Sequence, residues 1–144
     1  MKPLTYILPL ALLTTAPLTS FASADIEFHI QGVKQGEGRL LVQLFKGKEN
    51  YTKDNALVGT SVQANSKTVV VKFNNIEQGE YALRFFHDEN NNGQMETNLF
   101  GMPSEGYGFS NDAKPDFGPV SYSQIALTVS AQDSTVINKT HVIY

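Results

Sequence analysis

The sequence predicts an all-β fold, a single antiparallel β-sandwich with one long ordered loop. Short runs in which apolar and polar residues alternate recur along the chain, as they do in strands with one buried face. These runs are rich in β-branched and aromatic residues, and turn residues separate them. No helical period and no internal repeat accompanies them. Six or seven such strands in a chain of 144 residues favour two packed sheets.

Five strands follow from the alternation, and the apolar residue at every second position is the predicted core. These strands are centred on residues 26–30, 40–44, 69–73, 81–85 and 125–129. A further run covers residues 136–144. Residues 48–65 are polar and mixed, and they are compatible with either a short helix or a weak edge strand.

The N-terminal segment has the three parts of an export signal. Lys2 supplies a positive charge, residues 6–13 are apolar, and residues 22–24 are the small residues of a cleavage site. Pro9 and Pro17 interrupt the apolar run, whereas a membrane-spanning helix needs about 20 apolar residues. We therefore expect a signal peptide at 1–24, a β-sandwich domain at 25–144, and an exported protein, periplasmic or secreted, with no membrane span.

Composition and charge exclude several classes of function. The formal net charge is −3, and no run of Lys or Arg is present, which disfavours nucleic acid and anionic membrane surfaces as partners. With no cysteine, the chain has neither disulfides nor a thiol nucleophile. The three histidines are scattered, so the sequence does not indicate a zinc or copper site.

Residues 88–119 form a long excursion without strand periodicity, and it begins with an acidic loop. Side-chain oxygens at alternate positions are followed by glycine, which is the front half of a calcium loop, D-x-[DN]-x-[DN]-G. The twelfth position is Leu99 instead of glutamate, so an EF-hand is excluded. The predicted calcium ligands are Asp88, Asn90, Asn92, the Gln94 carbonyl, Glu96 and Glu105.

Charge favours the calcium interpretation. Residues 85–113 contain no Lys or Arg but five carboxylates, which repel one another when they fold close together, and a divalent cation removes that repulsion. The alternative is an ordinary Asx-rich turn, because Asn, Asp and Gly also dominate turns without a metal.

Glycine and aromatic residues alternate in the second half of the excursion, residues 100–119. Tyr107 and Phe109 are the candidate ligand-binding surface, since exposed aromatic rings can stack on a sugar or a peptide. The alternative is that the aromatics fold inward as a small core of the loop itself, and we favour this in a chain that lacks disulfides.

Three segments carry a family resemblance: GRLLVQLF (38–45), GEYALRFFHDEN (79–90) and FHDENNNGQMETNLFGMPSEGYGFSNDA (86–113). They resemble the bacterial family called domain of unknown function 2141, whose members are secreted. The family typically has glycine where this chain has Asn91, and often has Asp in place of Glu96. The resemblance implies a sandwich fold, an exported bacterial setting and an important loop, but no reaction. The strand start at Gly79 is also similar to that of transthyretin-like sandwiches, so we expect an immunoglobulin-like or transthyretin-like arrangement.

The leading hypothesis is a non-enzymatic, exported module with a calcium-binding loop and an unknown protein or carbohydrate partner in the bacterial envelope. The alternative is a small envelope hydrolase that acts on carbohydrate with Glu96 and Glu105 as its carboxyl pair. A third hypothesis is a purely structural domain whose loop binds no metal.

Overall fold

The computed structural model of the protein describes residues 22–144. Most of the predicted signal peptide, 1–24, lies outside the described residues. The eight strands of the described part are β1 Ser23–Gln31, β2 Arg39–Lys46, β3 Val58–Gln63, β4 Thr68–Glu77, β5 Gly79–Asp88, β6 Tyr107–Phe109, β7 Ala126–Val129 and β8 Thr135–His141. The short helices are α1 Gly47–Thr52 and α2 Tyr122–Ile125, and a 3-10 turn spans Ser110–Asp112.

The strands form two sheets, which confirms the predicted all-β sandwich. The first sheet has the order β4-β1-β8. The second has the order β3-β2-β5-β6, and β7 pairs with the other half of the β5 edge. Both sheets contribute their inward positions to one core, in which Phe28 of the first sheet meets Phe85 of the second edge-on, with ring centroids 5.9 Å apart.

The predicted alternation places the core correctly. Buried residues recur at alternate positions along β1, β2, β4 and β5, as expected for strands with one face toward the partner sheet. In β4 the alternation shifts by one position after Phe73, so that Ile76 is buried and Asn75 is exposed. The undecided segment, residues 48–65, contains both elements that were considered, because it holds most of α1 and all of β3. Strand β1 begins inside the predicted cleavage site, and Ala24 is buried opposite Ile76.

One strand pair departs from the antiparallel arrangement. Strands β1 and β8 run parallel, with Ile26 opposite Val136, while the other pairings are antiparallel. Residue alternation does not report strand direction, because both directions place side chains on alternate faces.

The outer face of the five-stranded sheet is covered over only part of its length. Phe45 and Ala82 are fully buried there although they lie outside the main core. Helices α1 and α2 cover them: Tyr51 packs edge-on against Phe45 at 5.2 Å and lies 5.8 Å from the Tyr122 ring. Beyond these helices the same face is open.

The excursion after β5 is ordered, and it begins with a short hairpin. A bridge between Thr97 and Pro103 closes a narrow hairpin, and Asn98 Oδ1 accepts hydrogen bonds from the backbone N–H groups of Phe100 and Met102 at 2.9 and 3.1 Å. Strand β6, the 3-10 turn and α2 follow. None of the helices in residues 22–144 is long and apolar enough to cross a bilayer.

Candidate functional site

The glycines before and within β6 determine where its aromatic residues point. A Cβ at Gly106 would lie 2.5 Å from the Tyr144 ring, and one at Gly108 would lie 2.6 Å from the Phe85 ring. These positions therefore admit only glycine, and the strand packs closely against the core. Because side chains alternate along a strand, Tyr107 and Phe109 point to the outer face of the sheet.

The favoured expectation that the loop aromatics form a small core of their own is wrong. Tyr107 and Phe109 are half-buried on the outer face of the sheet, and their rings pack edge-on at 6.0 Å. Phe100 and Phe117 are 89% and 108% exposed. The loop is held instead by hydrogen bonds and by the close approach of its glycines to the sandwich.

Two rows of outward-facing residues cross four strands and form the open part of the sheet. The register gives one row of Ser61, Leu41, Phe86 and Tyr107, on β3, β2, β5 and β6. The second row is Gly59, Gln43, Arg84 and Phe109 on the same strands. Directly opposed side chains lie about 4.5–5.5 Å apart at Cβ, so each row is a continuous surface.

These rows line a groove of about 790 Å³, within the range of small-molecule sites. We call it the outer groove. Gly93 and Met95 of the acidic loop also line it, as does Tyr51 of α1. The acidic loop lies beside Arg39, at the start of β2, whereas α1 follows the end of β2. The loop and the helix therefore stand at opposite ends of the groove.

Arg84 lies in the middle of the groove and is held from several sides. Its Nε donates to Gln43 Oε1 at 2.8 Å, and an Nη2 hydrogen bond and ion pair join it to Asp54. Its guanidinium carbon lies 4.9 Å from the Phe45 ring centroid and 6.0 Å from that of Tyr51. These contacts fix a planar, charged group against aromatic faces while leaving the side chain 32% exposed.

Ser110 hydrogen-bonds to β5 at the point where the strand paired with β5 changes from β7 to β6. Strand β6 pairs with residues 84–86 of β5, and β7 pairs with residues 79–82, so Leu83 lies between the two ladders. The buried Ser110 hydroxyl accepts from the Leu83 N–H at 3.0 Å and donates to the Ile125 carbonyl. It satisfies a backbone donor that neither strand reaches.

The acidic loop begins at Asp88, which is fully buried. Its Oδ1 accepts from the Asn92 N–H at 2.9 Å and its Oδ2 from the Gly93 N–H at 3.0 Å. Oδ2 also accepts from Arg39 Nε at 3.0 Å, across the strand pair. The charge of Asp88 is thus neutralised by an arginine, and the carboxylate closes the turn at Asn92 and Gly93.

Three other predicted ligands meet at the exposed side of the loop. The amide nitrogens of Asn90 and Asn92 donate to the same oxygen of Glu96, Oε1, at 3.0 and 2.9 Å. Their carbonyl oxygens accept from the backbone N–H groups of Asn92 and Gln94 at 3.0 and 2.8 Å. Gln94 therefore joins the loop through its N–H, in a series of Asx turns.

Glu105 ties the two halves of the excursion together through the backbone. It is 5% exposed, and its two oxygens accept from the N–H groups of Glu89 and Glu96, at 3.0 and 3.3 Å. The sequence indicated that Glu105 reaches back to the loop. The structure brings it there, but its oxygens contact backbone donors.

The charge argument for calcium is weakened by cations from elsewhere in the chain, one on β2 and one in the loop between β1 and β2. Arg39 pairs with Asp88, and Lys34 Nζ lies 2.9 Å from Glu89 Oε2. A count confined to residues 85–113 could not detect these cations, because strand pairing and folding bring them from distant positions. Within residues 22–144, no group of three or more His, Cys, Asp or Glu side chains is arranged to hold a metal ion.

The sequence reasoning found Tyr107 and Phe109 but missed the rest of the groove. Leu41, Phe86 and Arg84 lie at the positions that the alternation assigns to the solvent face. Outward strand positions are usually polar, so the large apolar side chains of Leu41 and Phe86 could have indicated an apolar surface on the outer face of the sheet.

Comparison with known proteins gives one match. Residues 28–138 match the model of the family described as "Uncharacterized protein conserved in bacteria (DUF2141)". No curated protein and no solved structure matches the chain. The matched range covers most of the sequence and includes the acidic loop and the outer groove. The chain therefore belongs to the DUF2141 family.

Proposed function

We propose that this protein is a non-enzymatic binding module of the bacterial envelope, which binds a carbohydrate in the outer groove. The observation that carries the proposal is the pair of side-chain rows that cross the open sheet face. The two rows place aromatic rings at Phe86, Tyr107 and Phe109 beside the polar groups of Gln43, Arg84 and Ser61.

The chemistry of this surface suits a sugar. A pyranose ring has apolar C–H faces, which stack on aromatic rings, and hydroxyl edges, which hydrogen-bond to amide, guanidinium and hydroxyl groups. An extended peptide would use a strand edge, where free backbone groups supply its hydrogen bonds. The groove lies on a sheet face, so recognition depends on side chains alone.

The hydrolase alternative receives no support from the geometry. A glycosidase needs two carboxyl groups that face the scissile bond. Glu105 is buried with both oxygens hydrogen-bonded to backbone N–H groups, whereas Glu96 is exposed on the loop. Neither residue lines the outer groove.

Gly59 offers a direct test of binding in the groove. A Cβ at this position meets nothing within 4 Å, and its backbone conformation is open to any residue, so a larger side chain adds bulk without strain. Gly59→Trp should place an indole in the second row and block the groove. Gly59→Ala is the matched control, because it adds only a methyl group.

The assay is a titration of the ¹⁵N-labelled protein with neutral and acidic oligosaccharides, followed by amide chemical shifts. We expect saturable shifts at Leu41, Phe86 and Tyr107 that Gly59→Ala retains and Gly59→Trp abolishes. If no oligosaccharide moves these resonances, or if Gly59→Trp leaves the shifts intact, the proposed function is wrong. The unfolding temperature of both variants verifies that the fold is retained.

We propose calcium binding by the acidic loop as a second candidate function. The supporting observation is that the amide groups of Asn90 and Asn92 lie within 3.0 Å of the Glu96 carboxylate at an exposed point, so rotation of the two amides would turn their oxygens toward a cation bound there. Because Arg39 already neutralises Asp88, we expect weak binding, with a Kd of about 10⁻⁴–10⁻³ M as in other extracellular modules.

Thermal unfolding in EDTA, in about 2 mM calcium and in magnesium tests this second candidate. A Kd of about 10⁻⁴ M adds about 1.8 kcal/mol of stability, a rise of about 5 °C for a domain of this size. Glu96→Gln should remove the rise, whereas Glu49→Gln on α1 should retain it. If the melting temperature is the same in calcium and EDTA, the loop is an Asx-rich turn without a metal.

A further inference from the structure

Building on the proposed function, we infer that the outer groove selects acidic oligosaccharides, and that Arg84 is the residue that binds a sugar carboxylate. Among the described residues that line the groove, Arg84 is the only one with a charged side chain. The chain as a whole carries a net charge of −3. Its ion-pair partner Asp54 does not line the groove, so Arg84 is the one charged group of the described lining that a ligand in the groove would contact.

The guanidinium is positioned in advance for an anion. Stacking over Phe45 and Tyr51 and the bond to Gln43 hold its plane in one orientation, so little side-chain entropy remains to be lost when a ligand binds. It has five N–H donors, and the bonds to Gln43 and Asp54 use two of them. A planar fork of this kind matches a carboxylate, which it can bind through two parallel hydrogen bonds.

Asp54 shows which chemical group fits beside Arg84. Its carboxylate contacts Nη2 from the turn after α1 and is 69% exposed, so water screens the ion pair. Exposed pairs of this kind contribute little to stability. A ligand carboxylate can therefore replace or join Asp54 at small cost, and Asp54 acts as an internal competitor for the same cation.

The aromatic residues beside Arg84 limit the ligand to one that also has a ring. Phe109 lies directly opposite Arg84 across the strand pair, and Phe86 is two positions further along β5. A uronic acid joins a carboxylate and a pyranose ring in one unit, so a single sugar can contact Arg84 and stack on a neighbouring ring. A flexible acidic peptide lacks this combination of charge and rigid apolar face.

Calorimetric titration with two matched probes tests the inference. Trigalacturonate carries carboxylates, and its methyl ester has the same rings without the charges. EDTA in the buffer excludes any contribution from calcium. We expect trigalacturonate to bind at least about tenfold more tightly than the ester, as for a hydrogen bond to a charged group. Arg84→Met should remove this difference, because it lowers the affinity for trigalacturonate by a larger factor than the affinity for the ester.

Two further variants separate Arg84 from general charge effects. Asp54→Asn removes the competing carboxylate and should tighten trigalacturonate binding several-fold; asparagine also tolerates the positive φ of 57° at this position. Lys139→Met, on β8 of the other sheet, makes the same charge change as Arg84→Met and should leave binding unchanged.

The outcomes distinguish this inference from the proposed function. Equal binding of both probes in the groove, or equal loss of both in Arg84→Met, would overturn the acidic selectivity and leave the carbohydrate module in place. Tetraglutamate binding as tightly as trigalacturonate would overturn the selectivity for a sugar ring. If neither sugar binds the unmodified protein, this inference is wrong, whereas the proposed function fails only if no oligosaccharide of the panel shifts the amide resonances of the groove.

Discussion

Replacement of Glu105 by glutamine is the sharpest test of how the acidic loop is held. The side chain keeps its length and shape, but one acceptor oxygen becomes an NH₂ group. In the native loop both oxygens accept backbone N–H groups, from Glu89 at 3.0 Å and Glu96 at 3.3 Å. Glutamine can accept only one of these bonds, and its NH₂ group must face the other donor.

The expected loss follows from these contacts. A hydrogen bond to a charged group contributes about 1.5–3 kcal/mol, and a buried donor left without a partner is costly as well. Since Glu105 is only 5% exposed, water does not readily replace the lost acceptor. We expect Glu105→Gln to lower the free energy of unfolding by about 2–3 kcal/mol, a large part of the roughly 5–15 kcal/mol of a typical domain.

Chemical denaturation measures the loss, and amide hydrogen exchange locates it. The amides of Glu89 and Glu96 should exchange faster in Glu105→Gln, because they are the donors that lose the carboxylate. Glu96→Gln is the matched control: it lies in the same loop but is exposed, and we expect a change below about 1 kcal/mol. Equal effects of the two substitutions, or unchanged exchange at Glu89 and Glu96, would refute this account of the loop.

Three further substitutions test other parts of the structure. Ser110→Ala leaves the buried Leu83 N–H without its acceptor and should lower the free energy of unfolding by about 1–3 kcal/mol in denaturant titrations; no loss would mean that water replaces the hydroxyl. Gly108→Ala places a Cβ 2.6 Å from the Phe85 ring, so we expect about 1–3 kcal/mol of destabilisation and altered β6 amide shifts, whereas unchanged spectra would contradict this packing. Burial raises the pKa of Tyr122 from 10.0 to about 12, so the folded state retains a proton that the unfolded chain loses in this range, and stability falls as the pH rises through it. Tyr122→Phe should make that fall less steep in melts between pH 9 and 12, although Tyr51, Tyr81 and Tyr144, whose pKa values burial also raises, still contribute to it. Equal slopes for the two proteins would refute the assignment.

The sequence alone was sufficient for the features that depend on local pattern. Alternation identified the buried faces of β1, β2, β4 and β5, because in a strand a side chain's face follows directly from its position. The spacing of Asp88, Asn90, Asn92 and Gly93 predicted a tightly curled loop with inward-facing oxygens, and these side chains do organise the turn. Such signals are local, since each depends on residues only a few positions apart.

Tertiary structure decided which groups the side chains of the loop and of β6 contact. Arg39 neutralises Asp88 across a strand pair, and Glu105 meets two backbone donors where the sequence predicted a metal. Tyr107 points into the outer groove because Gly106 and Gly108 pack against the core, and this direction depends on which strand β6 joins. The sequence by itself therefore determined most of the strands, their buried faces and the turn, but left β3 undecided and did not indicate β6. The ion-pair and hydrogen-bond partners of the loop, the direction of each strand and the groove were decided only by the tertiary structure. All three depend on contacts between residues that are distant in the chain, and on strand register, which no local pattern records.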